Sequence, residues 1–342
     1  MNLISSAIQL VERVPLPDPA TRLGISLLVG RTRRSLASLP PHRESDFARD
    51  MENYPIAAHV DAANTQHYEL TPNFFALTLG PRRKYSCCLY EKGSETLAEA
   101  EQAALQATAR HADLADGQHI LELGCGWGSL TLFMAERFPN ARITAVSNSK
   151  AQRQHIEGTA RMLGLANLTV VTADMNDFQP TEAFDRIVSV EMFEHMSNWR
   201  SLLARARSWL APEGRLFVHV FSHGSQPYRF DHRNPADWIA QHFFTGGIMP
   251  SHGLLTQFPD CFEVEEAWRW SGLHYQRTAL DWLANFDANA TRIDSILADV
   301  YGREATIWRR RWRLFYLATA GLFGHAGGSE WGVSHYRLRP VR

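Results

Sequence analysis

From residue 119 to 222 the chain alternates short, almost wholly apolar runs with longer amphipathic stretches, and this rhythm limits the available folds more than any other feature. "HILELGC" (119–125), "RITAVSN" (142–148), "LTVVTAD" (168–174), "FDRIVSV" (184–190) and "RLFVHVFS" (215–222) read as strands. Between them "SLTLFMAERFP", "SKAQRQHIEGTARMLG" and "NWRSLLARARSWLAPEG" read as helices, closed by Pro139, by Gly164 and by Pro212 with Gly214. Strands this apolar are buried on both faces. Their alternation with helices predicts an α/β fold, a doubly wound parallel sheet with right-handed crossovers.

The rest of the chain is less regular. Residues 1–50 carry short apolar stripes, prolines at 15, 17, 40 and 41, and Arg31, Arg33 and Arg34, which predicts amphipathic helices joined by turns. After Ser222 the rhythm breaks into aromatic and turn-forming stretches, "HGSQPYRFDHRNPADW" and "FFTGGIMP". "FEVEEAWRW" and "EWGVSHYRL" read as two late strands, and 277–323 as helices with Trp282, Phe286, Ile293, Ile296, Leu297 and Val300 near helical spacing. Most of the late aromatics are expected in the core.

With 35 Lys and Arg against 36 Asp and Glu, the net charge of −1 gives no chain-wide pull toward nucleic acid or membrane. The four cysteines form no C-x-x-C pair, so no zinc or redox motif is expected. "LISSAIQLV" is followed at once by Glu12 and Arg13 and is not read as a signal peptide. The longest apolar runs fall short of the roughly 18 residues of a membrane helix. A soluble, cytoplasmic protein is the expectation. "WRRRWRL" (308–314) reads as a solvated helix face, with membrane-surface contact the less favoured reading.

Two motifs carry chemistry. In "LELGCGWGSL" a strand runs into Gly124, Gly126 and Gly128, and a helix begins near Ser129. Glycines there let the backbone turn tightly and approach a ligand. The turn lacks the Lys-Ser/Thr of a phosphate-hydrolysing loop and differs from the dehydrogenase G-x-G-x-x-G. Glu122 sits on the strand itself, where a carboxylate suits the ammonium of an amino-acid-like cofactor. Asn148 and Gln152 follow the second strand and Asp174 and Met175 the third, at the edge where open α/β sheets bind ligands. A polar group after strand two suits a ribose. Asp174 beside Met175 suits an adenine.

The second motif, "VEMFEHM" (190–196), begins where strand four ends. Glu191 and His195 share a face whether the segment is helical or extended, while the direction of Glu194 depends on which it is. A histidine beside carboxylates suits proton removal from an amine. His219 and His223 also share a strand face, but with no third ligand nearby no metal is expected.

This sheet rhythm, the G-x-G-x-G turn and the Asp after strand three resemble the class I S-adenosylmethionine-dependent methyltransferases. "YSCCLY", "LGCGWGSL", "FEHM" and "HYQRTALDW" resemble the cyclopropane-fatty-acid synthase superfamily within that class. "KYSCCLYEKGSETLAEAE", "DRIVSVEMFEHMSNW", "FFTGGIMPS" and "GGSEWGVSH" resemble its coclaurine N-methyltransferase-like branch. The resemblance runs from about Tyr68 to Tyr336.

It implies a Rossmann-like methyltransferase domain over 111–342 with substrate-cap insertions at about 223–250 and 271–328. Residues 1–110 would be a helical segment and a loop covering the cofactor. It implies S-adenosyl-L-methionine as cofactor, with Tyr85 and Ser86 at the methionine end. Gly124 and Gly126 would lie along its backbone, Asn148 and Gln152 at the ribose, Asp174 and Met175 at the adenine, and the main chain of Val190 near the sulfonium. Glu191, Glu194 and His195 would act on a small amine substrate.

In the lipid-modifying relatives the positions of Cys87, Glu194, His219 and Tyr275 hold a bicarbonate ion, and that of Glu191 is usually glycine. All four ion-holding residues are present here, yet Glu191 fills the space. Thr319 also stands approximately where those relatives carry a cysteine. N-methylation of an amine is therefore the leading expectation, and methyl or methylene transfer to an unsaturated acyl chain the alternative.

Overall fold

The computed structural model describes residues 11–14, 16–40, 43–58 and 70–341. The apolar stretch 3–10, Pro15 and Pro41 lie outside the described residues. Four helices precede the sheet: α1 (Asp18–Ala37), α2 (Arg43–Asp50), α3 (Pro72–Thr78) and α4 (Leu97–His111). The start of α4 is set by a capping box, in which Thr96 accepts from the Glu99 N–H and the Glu99 carboxylate accepts from the Thr96 N–H.

The alternating region then forms β1 (His119–Leu123), α5 (Ser129–Arg137), β2 (Arg142–Ser147), α6 (Lys150–Leu163), β3 (Leu168–Thr172), β4 (Phe184–Val190), α7 (Trp199–Trp209) and β5 (Leu210–His223). All five strands run parallel. Helix α7 stops before Pro212 rather than at it. A residue preceding proline avoids the α region, so Ala211 cannot continue the helix. Leu210 instead begins β5 opposite Phe184, and the pairing shifts register by the next pair.

After β5 come a two-stranded ribbon of β6 (Tyr228–Arg229) and β7 (Ile248–Met249), flanking α8 (Trp238–His242). Then follow β8 (Phe262–Ser271), a helical hairpin stack of α9 (Gly272–Ala288), α10 (Ala290–Tyr301) and α11 (Ala305–Phe323), and β9 (Trp331–Pro340). The seven strands order as β3-β2-β1-β4-β5-β9-β8, with β9 antiparallel to both neighbours. Strand order reverses direction between β1 and β4. A crevice opens outside the carboxyl ends of strands at such a point.

The helices α9–α11 lie over that edge. Trp282, Phe286, Ile293, Leu297, Trp312 and Tyr316 form their buried seam. Helix α1 packs on α11, burying Val29 and Leu36. The basic run on α11 is not a free solvated face. Arg309 pairs with Asp294, Arg311 with Glu12, and Arg313 with both Asp18 and Asp287. Burial works to raise the Glu12 carboxyl, but donors from His242, Arg311 and Trp238 outweigh it and hold it down to about 2. The arginines therefore pin the N-terminal segment to the cap. No helix among the described residues is long and apolar enough to cross a membrane.

Candidate active site

The glycine turn is built from main chain. The N–H groups of Gly124 and Cys125 both donate to Val146 O at 3.0 Å, which folds the chain back against β2. Gly124, Gly126 and Gly128 all have positive φ, at 79°, 51° and 81°. A Cβ on Gly124 would lie 2.6 Å from the Met192 side chain, so this glycine lets the acidic segment pack against the turn. A Cβ on Gly126 would meet nothing within 4 Å and would project into open space at the cavity wall.

That cavity encloses about 1530 Å³, mouth included. Tyr85, Ser86, Glu122, Gly124, Gly126, Asn148, Gln152, Asp174, Met175 and Val190 are all among the residues that line it. Glu122 is 3% exposed, and burial raises its carboxyl to about 7, offset by the Thr131 O–H at 2.5 Å. A cation arriving beside a buried carboxyl favours its charged form, so the wall suits an ammonium. Ser147 Oγ donates to Gln152 Oε1 at 2.6 Å, and Ser149 caps α6 through the Gln152 N–H. Asp174 Oδ1 accepts from the Asn176 N–H at 2.7 Å. Arg205 locks the same loop by donating to the carbonyls of Met175 and Asn176. The glycine cradle, the polar rim and the buried Glu122 carboxyl together fit S-adenosylmethionine.

Side chains build the other end. Glu191 has φ of 48°, the left-handed region that a residue with a Cβ avoids at a cost of about 1–2 kcal/mol. Its N–H donates to His219 O at 2.8 Å, which holds the strained turn. Its carboxylate then accepts from the Cys87 N–H at 2.9 Å and the Tyr275 O–H at 2.7 Å, and lies 3.2 Å from His219 Nε2. Burial raises the Glu191 pKa, and the Lys84 charge, the Cys87 N–H and the Tyr275 O–H counter it.

Glu194 is fully buried and does not line the cavity. Its Oε1 accepts from the Phe221 N–H at 2.7 Å, and Oε2 has no hydrogen-bond partner among the described residues. Burial first, and the neighbouring Glu191 charge second, push its carboxyl well up. Glu194 is thus pushed further toward the neutral form than Glu191, for which the Lys84 charge and two donors counter burial. The two acids separate because the left-handed Glu191 stands before the short helical turn Phe193–His195, outside its periodicity. His195 does line the cavity, its ring stacked on Phe244 at 5.1 Å.

Tyr275 lines the cavity, while Cys87 and His219 stand behind Glu191 and are not part of its surface. The sequence reading missed Lys84. It is 3% exposed, donates to Ser86 Oγ and to Cys87 O, and provides the cation behind Glu191. It also missed Glu101, fully buried, whose carboxylate accepts the N–H groups of Arg82 and Lys84 and so shapes the loop that delivers Tyr85 and Ser86. A glutamate within an otherwise apolar helix face was the available signal. Phe244, Trp282 and Phe315 complete the cavity walls. His223, paired with His219 by spacing, instead accepts from the N–H groups of Ser225 and Gln226.

Residues 57–325 match the family described as Mycolic acid cyclopropane synthetase. The (S)-coclaurine N-methyltransferase of Thalictrum flavum subsp. glaucum is 36% identical over 295 residues, 85% of this chain and 82% of that protein. The cyclopropane-fatty-acyl-phospholipid synthase of Escherichia coli K12 is 30% identical over 88% of this chain and 75% of that one. A solved structure of coclaurine N-methyltransferase bound to N-methylheliamine and SAH superposes with a TM-score of 0.94 at 32% identity, covering 99% of this chain and 100% of that one. The crevice at the strand reversal, its glycine cradle and the carboxylate opposite are therefore those of an S-adenosylmethionine-dependent methyltransferase, and the chain belongs to the cyclopropane-fatty-acid synthase superfamily, in its coclaurine N-methyltransferase-like branch.

Proposed function

We propose that this enzyme methylates the nitrogen of a small amine, aromatic or alkaloid-like, with Glu191 taking up the proton that the nitrogen must lose. The observation that carries the reading is the Glu191 carboxylate at the cavity floor, held by Cys87, Tyr275 and His219. An aliphatic ammonium keeps its proton to about pH 10, and only the neutral amine has a lone pair to offer. A carboxylate first attracts the cation and then removes the proton. Burial makes Glu191 the better proton acceptor, and the Lys84 charge, the Cys87 N–H and the Tyr275 O–H counter that rise.

When bound, S-adenosylmethionine supplies an electrophilic methyl group on a positively charged sulfur. Tyr85, Ser86, Glu122, Gly124, Gly126, Asn148, Gln152, Asp174, Met175 and Val190 would hold it. His195 stands on the same wall as Glu191 and orients the acceptor nitrogen. The faces of Phe244, Trp282 and Phe315 suit a cation or a flat ring. Glu194, buried and outside the cavity lining, supports the Phe221 main chain. The relatives named for coclaurine and the solved complex with N-methylheliamine support an amine acceptor.

In the lipid reading, Cys87, His219 and Tyr275 would hold a bicarbonate ion. Here their donors converge on Glu191, which argues against that use. The test is transfer of labelled methyl by the purified protein to a panel of amines and to unsaturated phospholipid, with and without bicarbonate. Label in amines at a rate indifferent to bicarbonate is expected. Label confined to acyl chains, and dependent on bicarbonate, would overturn the reading.

A further inference from the structure

Outside the cavity, the cap and the segment before α1 meet in a cluster of charges that takes no part in methyl transfer. Glu12 is 7% exposed. Its Oε1 accepts from the Trp238 indole N–H at 2.6 Å and from the Arg311 Nε–H at 3.0 Å, and lies 3.2 Å from His242 Nε2. Trp238 and His242 are the first and last residues of α8, and Arg311 stands on α11. One carboxylate oxygen therefore ties two cap helices together. Arg310 donates to the main-chain carbonyls of Glu12 and Arg13, which fixes the segment that carries the acid.

The tie continues along α11. Asp18 at the start of α1 pairs with Arg313, and a Cβ on Gly321 would lie 2.5 Å from the Ile25 side chain, so α1 and α11 approach closely. None of the described residues of 11–37 lines the cavity. They form a strap that reaches the substrate only through the cap.

An aromatic layer connects the clamp to the cavity. Phe243, fully buried, follows α8 and stacks on Phe315 of α11 with ring centroids 4.5 Å apart. It also packs on Trp312 at 5.1 Å and on Trp238 at 5.5 Å. Phe315 itself and the next residue, Phe244, line the cavity, and the Phe244 ring stacks on His195. The N–H groups of Phe243 and Phe244 both donate to Ile239 O at 2.9 Å, which fixes the two rings to α8.

A simple tether would not need a charge here. An aliphatic side chain at position 12 would pack against Trp238 without the cost of burying a carboxylate. Hydrogen bonds from α8 and α11 to one atom set the spacing of the two helices to within a few tenths of an ångström, as apolar contacts do not. The three side chains outweigh burial and hold the Glu12 carboxyl down to about 2, so the clamp stays charged at physiological pH.

We propose that Glu12 sets the width of the acceptor end by fixing the distance between α8 and α11, and so determines the size of amine that the enzyme accepts. The inference rests on the amine reading for the acceptor and on the clamp's geometry for the effect. Glu12 touches no substrate and acts through Phe244 and Phe315, so it is a positioning residue. A fixed gap favours the amine whose ring fills it. A loosened gap holds that amine less well and admits a bulkier one.

The test uses Glu12→Gln, which keeps the shape and removes the charge, and Arg311→Met, which removes the donor on α11. Labelled-methyl transfer is followed with a one-ring arylalkylamine and with a bulkier, three-ring one. In both variants the KM of the one-ring amine should rise about fivefold, with kcat and cofactor affinity within about twofold. The kcat/KM ratio of the bulkier amine to the smaller should also rise about fivefold. The double variant should shift no further than either single one, because both break the same clamp. A strap that only tethers would lower the melting temperature and leave KM and the ratio in place, and that outcome overturns the proposal. So does a fall in kcat with KM unchanged. If Glu12→Gln does not fold, Arg311→Met and Trp238→Phe, which deletes only the N–H at 2.6 Å, carry the same comparison. No label in any amine with the unaltered enzyme would instead sink the amine reading. The clamp is then judged by the same comparison of sizes on whichever acceptor takes the label.

Discussion

The two ends of the cavity are made of different material. The cofactor end is largely main chain and short polar side chains, drawn mostly from the loops after three consecutive strands, β1, β2 and β3, with Glu122 on β1 itself and Tyr85 and Ser86 brought in from the segment before α4. The acceptor end is a knot of buried ionisable groups. Its central residue, Glu191, is held by Cys87 from 104 residues away, Tyr275 from 84 and His219 from 28. Backbone geometry presents a surface that is ready before the ligand arrives. Buried charge creates reactivity at the price of mutual dependence, since each group sets the protonation of the next.

Changing Glu191 tests the contrast most severely. Glu191→Gln keeps the shape and removes the base, so kcat for the best amine should fall by about 10²–10³ while cofactor affinity stays within about twofold. Affinity that falls in step with turnover would mean that the two ends are not separable. Gly124→Ala attacks the place where they touch. It forces a Cβ to 2.6 Å from Met192 at φ of 79°, and should cost about 2–4 kcal/mol in thermal or urea unfolding. Because both Cβ and Cγ of Met192 would lie 2.6 Å from the new atom, Met192→Gly in the same chain should recover the steric part and leave the backbone strain.

Tyr275→Phe removes one donor from the Glu191 carboxylate. That raises the Glu191 pKa, moves the acid limb of the rate profile to higher pH and lowers kcat about tenfold. A profile that stays in place would show that Tyr275 only packs.

Stability against pH should show both signs. His111, at the end of α4 and stacked on Trp268, is held at about 4 in the fold, chiefly by burial, against 6.5 ordinarily. Its depressed value gives stability that is complete above 6.5 and lost as pH falls toward 4. Glu122, raised from 4.5 to about 7, works the other way, with stability complete below 4.5 and lost as pH rises through 7. His111→Gln should flatten the acid side of a melting-temperature profile, and Glu122→Gln the neutral side.

Glu194→Gln should do least. It replaces a carboxyl that burial pushes toward the neutral form by an amide that keeps the acceptor for the Phe221 N–H. Turnover should stay within about threefold, as for one modest hydrogen bond. A loss as large as that of Glu191→Gln would return Glu194 to the catalytic group.

The same contrast explains what could be read in advance. Gly124, Asp174 and Met175 were legible because strand, turn and helix follow one another in sequence, and the sheet edge collects whatever comes next. The protonation of Glu191 and Glu194 was not, because it depends on partners that only the fold brings together, Lys84 among them. The left-handed Glu191 hid the direction of Glu194, since periodicity arguments assume ordinary backbone. The arginines of 309–313 looked solvated because their acids, Asp18 and Glu12 among them, lie far away along the chain. Helix α7 ended early because the influence of Pro212 reaches back to Ala211.

The walls and the floor of the acceptor end also sit on different elements. Glu191 is fixed by its own main chain and by donors at its back, whereas Trp282 and Phe315 come from α9 and α11, and Phe244 follows α8. Substitutions on those helices can redraw the outline of the accepted molecule without touching the base. Such a layout lends itself to diversification: a library restricted to the cap should yield catalysts with new appetites and an unaltered chemical step.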